Sequence, residues 1–586
     1  MAMRFRLGGR ADALALTSLG VSGVATSPYF APTPTPLLVA LAAAGGAWVG
    51  RRLFEGLHEK NLFGSPLNIA SSDFLAGSDG LLVGYRTDTG APVRMNQDAV
   101  SRHGLVQGGS GKGKTTFAKL LACQQIQRGG GLLLVEAKLE DADLDFIYQF
   151  AVWCGRAHDL LVISPGDPKN SHTYNPVQYG DPDEVSDRIL ALIPGSEENA
   201  GTDYYRQATK QALVAIVGGL KALDLAYNFT DLAILLTNQT ALSELEEKLR
   251  KVLPFHDATK NLSLFLEQYK GGFGRDDHSH NMRSQINMKR LKDMLGGIAN
   301  RLHTFGTGSF GNVTSSYSPQ VRLFEAMRDN KIVILRLPTM GKPETSFSFA
   351  KMLLADWRTA ISWLQKLPEH LRPNPSFLGL FDEFGSYALS SILQPFEQGR
   401  AAGVSLWVFL QSYAQLHKIG AEFKQIINAV TANKFFFGLG DQEGAEEAAM
   451  LIGETDVVKD SISTSARAAT STPKVAVAPE GGASEDAALS QSETVTKDFR
   501  VPPDHIKKIP RGQAIFLHDF THLHHLRIPE IRISRRLARE IGRARITYVR
   551  TKPVRGCDYF KNADRYLTSA APPPKKEKAG ANDRRI

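Results

Sequence analysis

The sequence predicts an α/β fold with a mostly parallel central sheet, interrupted by an all-helical domain. Between residues 104 and 164, short apolar runs alternate with helix-like stretches in the order strand, helix, strand, helix, strand. That order needs a parallel sheet with crossover helices. From Asp181 to Met327 the alternation stops, and acidic, leucine-rich amphipathic pieces such as LTNQTALSELEEKLRKVL take over. It then resumes with KIVILRLP, FLGLFDEFG, VSLWVFLQS and NKFFFGLG. Runs this short and apolar cannot stand alone in water, so both groups belong to one sheet.

Each element follows in turn. The chain has 586 residues, enough for two or three domains, and a net charge of +9 that permits a polyanionic partner without demanding one. Arg4, Arg6 and Arg10 precede an apolar span over residues 13–30. APTPTP then turns the chain, and a second apolar run, residues 36–50, stops at Arg51 and Arg52. Arginines at both outer ends and none in the connecting loop fit a transmembrane hairpin over 1–52 with both ends on the cytoplasmic side. A soluble alanine-rich helical pair packed on the body is the alternative, because both runs are short for a span. Residues 53–180 are read as a linker, a small hairpin around DTG and the first part of the sheet domain. The helical insertion is placed at 181–327 and the second part of the sheet domain at 328–530, with a mobile insertion or irregular hairpin at 455–493. Residues 531–586 form a basic extension and a disordered tail. Cys123, Cys154 and Cys557 have neither zinc-ligand spacing nor a disulfide pattern. The histidines of HDFTHLHHL match no metal motif and suit a strand–turn–strand.

One stretch carries definite chemistry. Gly108–Gly109–Ser110–Gly111–Lys112–Gly113–Lys114–Thr115 matches G-x-x-x-x-G-K-[ST], with the strand-like LVQ before it and a helix from about Thr115 to Gln127 after it. Phosphates are multiply negative, so backbone N–H groups at a helix start must point inward, and side chains on the loop would block the approach. Lys114 is expected at the β and γ phosphates of ATP and Thr115 at Mg²⁺, with Ser110, Lys112 and Thr116 completing the binding stretch.

A phosphate loop needs a carboxylate partner to hydrolyse anything. Asp382 and Glu383 stand at the C-terminal edge of the buried run Phe377–Phe381, where open parallel sheets hold ligands. Asp382 is read as the organiser of Mg²⁺, and Glu383 as the group that orients or deprotonates the attacking water. Gln411 ends the run that begins at Val404 and is either a sensor of the γ phosphate or a loop-bonding amide. Arg400 lies just before that run, and is either an arginine finger for a neighbouring subunit or a solvated helix residue.

These pieces, in this order, resemble the type IV secretion coupling proteins of the TraG/TraD group, within the FtsK/HerA family of ring-forming P-loop motors. HGLVQGGSGKGKTT is similar to the group's H-x-L-x-x-G-x-x-G-x-G-K opening. LLLVEAKLED resembles its D-x-K-G-E strand, with Glu136 where Asp is usual and Leu139 where Gly is usual. TYNPV resembles its W-N-P-L turn, and VPPDHIKKIPRGQAIFL its last element. The likeness covers roughly residues 80–520. It implies a RecA-like P-loop ATPase, a homo-hexamer seated on the bacterial inner membrane with its bulk in the cytoplasm. It also implies partners: single- or double-stranded DNA, a relaxase or other secreted protein, and components of a type IV secretion channel. Under the resemblance Gly108, Gly113, Lys114 and Thr115 form the nucleotide loop, Asp382 and Glu383 are catalytic, and Gln411 senses.

The function expected is ATP hydrolysis coupled to delivery of conjugative DNA with its relaxase. A receptor for protein effectors, a soluble DNA translocase and a non-enzymatic assembly component are the competing readings. Two basic patches bear on the choice, Arg283/Lys289/Arg290/Lys292/Arg301 and Arg532/Arg535/Arg536/Arg539/Arg543/Arg545. Either lines a DNA path, meets anionic headgroups or is an ordinary solvated face.

Overall fold

The computed structural model describes residues 67–68, 80–193, 200–270, 286–417, 419–464 and 489–567. The hairpin expected over 1–52, the tail from 568 and Arg283 lie outside these residues. Among those described, no helix is long and apolar enough to cross a membrane.

The strands in chain order are β1 (Leu67–Asn68), β2 (Gly80–Arg86), β3 (Pro92–Asn96), β4 (Gly104–Gln107), β5 (Leu132–Glu136) and β6 (Leu160–Ile163). After the helical excursion come β7 (Ile332–Arg336), β8 (Phe377–Phe381), β9 (Val404–Leu410) and β10 (Asn433–Phe437). A ribbon, β11 (Glu454–Thr464) and β12 (Leu489–Phe499), precedes β13 (Gln513–His518), β14 (His522–Arg527) and β15 (Ile531–Arg532). Eleven of these form one sheet, ordered β3-β2-β14-β13-β10-β4-β9-β8-β5-β7-β6. From β10 to β6 every pairing is parallel. From β10 outward to β3 every pairing is antiparallel.

The parallel strands are apolar because both their faces are covered. Leu132 and Leu134 of β5 face the helices Lys114–Gln127 and Asp141–Trp153, which bring Phe117, Leu120, Ile147 and Phe150. Leu133 and Val135 face the other way, toward Phe349, Leu353 and Trp357 of the helix Pro343–Gln365. Although β7 follows the excursion, it slots between β5 and β6, so strands from both halves of the chain interleave.

The excursion is helical, from Pro182–Leu190 through the 23-residue helix Ala200–Ala222 to Leu323–Arg328. Capping boxes start two of its helices, Asp181 with Glu184 and Asn228 with Asp231, each satisfying backbone N–H groups that the helix leaves open. The TYNP turn fastens it to the sheet domain. Asn175 donates to the carbonyls of Tyr227 and Ser316 at 3.0 and 3.1 Å. Tyr174 donates to Asp356 at 2.8 Å, and Asp356 also pairs with Arg188 at 3.1 Å, the Arg188 side chain being 1% exposed.

In the stretch 455–493, read as a mobile insertion or an irregular hairpin, the described flanks have the pairing of a hairpin. There β11 and β12 pair in an unbroken antiparallel ladder of eleven-residue strands, and 465–488 lies outside the described residues. Ser and Thr alternating with Ile or Val, as in SIST and SETVT, favour strands, and composition alone hides that pattern. The histidine run forms the hairpin β13–β14, with Nδ1 of His518 2.9 Å from Oδ1 of Asn433.

Beyond β15 the described chain, to residue 567, crosses back to the helical excursion. His172 Nε2 meets the Thr547 carbonyl at 2.8 Å, Ala226 N donates to the Arg555 carbonyl and Cys557 N to the Ala226 carbonyl, both at 2.8 Å, and Phe560 N donates to Asp231 at 2.9 Å. Sequence reading sees only an arginine run here. The structure makes it a strap joining both halves of the molecule.

Candidate functional site

The site is built at the C-terminal edge of the parallel strands. Strand β4 delivers Gly108, whose N–H donates to the Leu410 carbonyl at 3.2 Å, and Gly109, whose N–H donates to the Gly438 carbonyl at 2.9 Å. A Cβ on Gly108 would lie 2.5 Å from the Cβ of Phe437, so only glycine lets the loop sit on β10. Gly113 caps the helix Lys114–Gln127 with φ 119°, a left-handed conformation that side chains resist. Thr115 is exposed at the helix start, its hydroxyl available to a ligand. Lys114 folds onto its own loop, Nζ donating to the carbonyls of Gly108 at 2.6 Å and Gly109 at 3.1 Å.

Strand β9 lies between β4 and β8, so the loop and the acid pair Asp382–Glu383 flank one strand end despite their separation in sequence. Burial pushes the Asp382 carboxyl above its ordinary range. Glu383 adds to the rise, and Lys114 opposes it. Burial likewise lowers Lys114, with Asp382 and Glu383 pulling it back up. These opposed effects mark the three groups as electrostatic neighbours. Glu383 sits at φ 54°, a left-handed turn that swings its side chain away from the strand direction, and Gln411 at the end of β9 donates to its Oε1 at 2.5 Å.

Two of the expected residues lie apart from this cluster. Arg400 precedes β9, at the opposite edge of the sheet and about 20 Å along the strand from the loop. There it pairs with Asp98 at 2.5 Å, so within one chain it does not join the site. Lys112 turns from the cradle, its Nζ 3.4 Å from the Ile509 carbonyl, while its own carbonyl accepts from Gly512 N at 2.9 Å. The Ile509–Gly512 turn thus braces the loop from behind. The first basic patch is partly occupied as well, since Arg301 donates to the Leu192 carbonyl at 2.7 Å and Arg290 lies over the Tyr269 ring.

Other neighbours were missed. Tyr387 donates to the Asp382 carbonyl at 2.7 Å, and Gln415 accepts from Gln411 N at 3.3 Å. Glu136, at the end of β5, is pushed up to about 8, chiefly by burial and then by Asp143, and its Oε2 has no hydrogen-bond partner. Arg336 is across the β5–β7 pairing, 4.0 Å from it, and prefers Asp141 at 2.9 Å. Lys138 is near enough to influence both Lys114 and Asp382.

The residues fit Mg²⁺ with a nucleoside triphosphate. The glycine cradle has no room for side chains. Lys114 sits on loop carbonyls that offer no charge, and two crowded carboxylates, one pushed up, are a donor set that a divalent cation would relieve. Thr115 and Asp382 would hold the cation, and Gly108–Thr116 the phosphates.

This sheet, cradle and acid pair define a RecA-like P-loop nucleotide-binding core with a helical domain inserted. The family described as the TraM recognition site of TraD and TraG matches residues 376–511. The Type 4 coupling protein DotL of Legionella pneumophila subsp. pneumophila is 23% identical over 409 residues, covering 60% of this chain. The chain spans 49% of that relative's length. Among solved structures, the bacterial conjugative coupling protein TrwBdeltaN70 in its unbound monoclinic form superposes with a TM-score of 0.52 at 14% identity, covering 82% of this chain and 94% of that one. The plasmid coupling protein TrwB in complex with the non-hydrolysable ATP analogue ADPNP gives 0.52 at 15% identity, covering 80% and 94%. At such identities the structures speak for the fold. Taken with the sequence matches, the chain is similar to the coupling proteins of the TraD/TraG, DotL and TrwB kind.

Proposed function

We propose that this chain is an ATP-hydrolysing coupling protein that delivers conjugative DNA, with its relaxase, to a type IV secretion channel, working as a homo-hexamer at the bacterial inner membrane. One observation carries the reading: the loop at 108–115 and the acids at 382–383 meet at the ends of strands separated only by β9. In this scheme Lys114 leaves the Gly108 and Gly109 carbonyls for the β and γ phosphates, and backbone N–H groups of the loop hold the rest. Bound Mg²⁺ supplies charge neutralisation at the transferring phosphoryl group. Asp382 and Thr115 would hold that cation. Glu383, held by Gln411, orients the attacking water and accepts its proton. Arg400 acts on a neighbouring subunit's nucleotide, since its own chain's loop is at the far edge of the sheet.

The chemistry becomes movement when ATP and ADP states favour different subunit arrangements, which the ring interface transmits. DNA would be gripped through backbone phosphates rather than base edges. The test is ATP turnover by the purified full chain alone, then with single-stranded DNA, double-stranded DNA and candidate relaxase, with Lys114→Ala as the blank. Stimulation by DNA supports the reading. Stimulation only by exported proteins reassigns the cargo to protein effectors, and absence of Lys114-dependent turnover removes the motor.

A further inference from the structure

The second arginine patch has a construction that the proposed ATPase chemistry does not use. Across residues 535–541 the helix turns Leu537, Ala538 and Ile541 toward the body, while Arg535, Arg536 and Arg539 are exposed. The chain then runs extended, and alternation takes over: Ala544 and Ile546 face inward, Arg543 and Arg545 outward. Leu537, Ala544 and Ile546 pack against the core cluster around the helix Asp141–Trp153. Asp145 accepts from Ala544 N at 2.8 Å, and Gln149 donates to the Gly542 carbonyl at 2.8 Å. With the inward residues committed to the core, the arginines are held on one surface. Among the described residues none of these five has an ion-pair partner, and Glu540 is the one acid within the run 535–550. The alternation ends at Thr547, and Tyr548, 76% exposed, and Arg550 follow in the same run.

A second observation says what lies opposite. Strand β1, Leu67–Asn68, pairs in parallel with β15, Ile531–Arg532, immediately before the arginine helix. The chain that leaves the apolar run ending at Arg51 and Arg52 therefore arrives beside this patch. The fourteen residues 53–66 can reach at most about 50 Å. We infer that the surface formed by Arg535, Arg536, Arg539, Arg543, Arg545 and Tyr548 docks on the anionic headgroups of the bilayer that holds the N-terminal segment. The inference rests on the membrane reading above. Its chemistry is that of a juxtamembrane polybasic surface, with guanidinium groups on lipid phosphates and a tyrosine ring at headgroup depth. Docking would tie the ATPase body down at a second point, fixing its tilt to the membrane.

The test incorporates the full chain into phosphatidylcholine nanodiscs with and without phosphatidylglycerol, and follows backbone hydrogen exchange over residues 535–550. Exchange there is expected to slow only in the anionic discs and to recover at high salt. Each substitution among Arg535→Gln, Arg539→Gln and Arg543→Gln should lower the docked-to-free ratio about fivefold. These side chains are exposed, so the variants fold. Equal exchange in both discs overturns the proposal, as does slowing that requires added DNA in neutral discs, which assigns the surface to nucleic acid. If the chain fails to enter discs at all, the anchor reading fails separately. The patch is then tested with phosphatidylglycerol vesicles added to the same protein, where unchanged exchange overturns it.

Discussion

Replacing Gly108 by alanine tests whether the loop's seat on β10 sets the geometry of catalysis. The new Cβ would stand 2.5 Å from the Cβ of Phe437, against a comfortable carbon–carbon separation of about 3.5–4.0 Å. Phe437 cannot retreat, since it is fully buried and packed near the Phe117 ring, 6.2 Å between centroids. The loop must therefore lift by roughly 1 Å, against its 3.2 Å bond to the Leu410 carbonyl. A shift of that size in a positioning element costs about 100-fold in rate, and the overpacking costs about 1–3 kcal/mol in stability. Steady-state ATP turnover reads the first and thermal unfolding the second. Gly129→Ala is the control. That glycine, at φ 81°, has open space around it and lies past the far end of the same helix, so it should lose about 1–2 kcal/mol with turnover unchanged. A Gly108→Ala protein that turns over ATP at the unsubstituted rate would refute the argument.

Three other outcomes follow from the same geometry. Glu383→Gln keeps a hydrogen-bonding partner for Gln411 but cannot take a proton, so turnover should fall by about 10²–10⁴ while nucleotide still binds, measured by single-turnover kinetics beside equilibrium binding. Arg188→Ala leaves Asp356 buried with only Tyr174 as partner and should cost about 3–5 kcal/mol in urea denaturation; a loss below about 1 kcal/mol would mean the carboxyl escapes to water. Glu136 keeps its proton in the folded chain up to about 8, whereas the unfolded chain releases it near 4.5. Its contribution to stability is therefore full below about 4.5 and is lost as the pH rises to about 8, by at most about 1.4 kcal/mol per pH unit. Glu136→Gln should flatten that slope, and an identical slope in both proteins would place the carboxyl in water.

Much of the site was legible because its residue types answer local demands. A cradle for phosphates must be glycine-rich and open a helix, so the text from Gly108 to Thr115 names its own use. Five apolar residues ending in Asp382–Glu383 similarly announce a buried strand with acids at its edge. Gln411 was legible as a strand-end amide, although its attachment to Glu383 was not, because hydrogen-bond partners far apart in sequence have no spacing to betray them. Lys112 shows the reverse limit. It belongs to the motif by position, yet its side chain reaches the Ile509 turn, some 400 residues away in the chain.

The sequence alone determined the alternation of buried strands and helices, the phosphate loop, the acid pair and the helical excursion, since each is written in neighbouring residues through periodicity, glycine content or charge. Only the tertiary structure decided which strands are neighbours. It set β9 between loop and acids, moved β7 back between β5 and β6, sent Arg400 to the far edge, and folded the C-terminal run into a strap that holds its arginines outward. The physical reason is that backbone propensity and apolar pattern act over a few residues. Strand order is settled by how a whole set of two-faced apolar surfaces can be covered at once, a condition that no single stretch records.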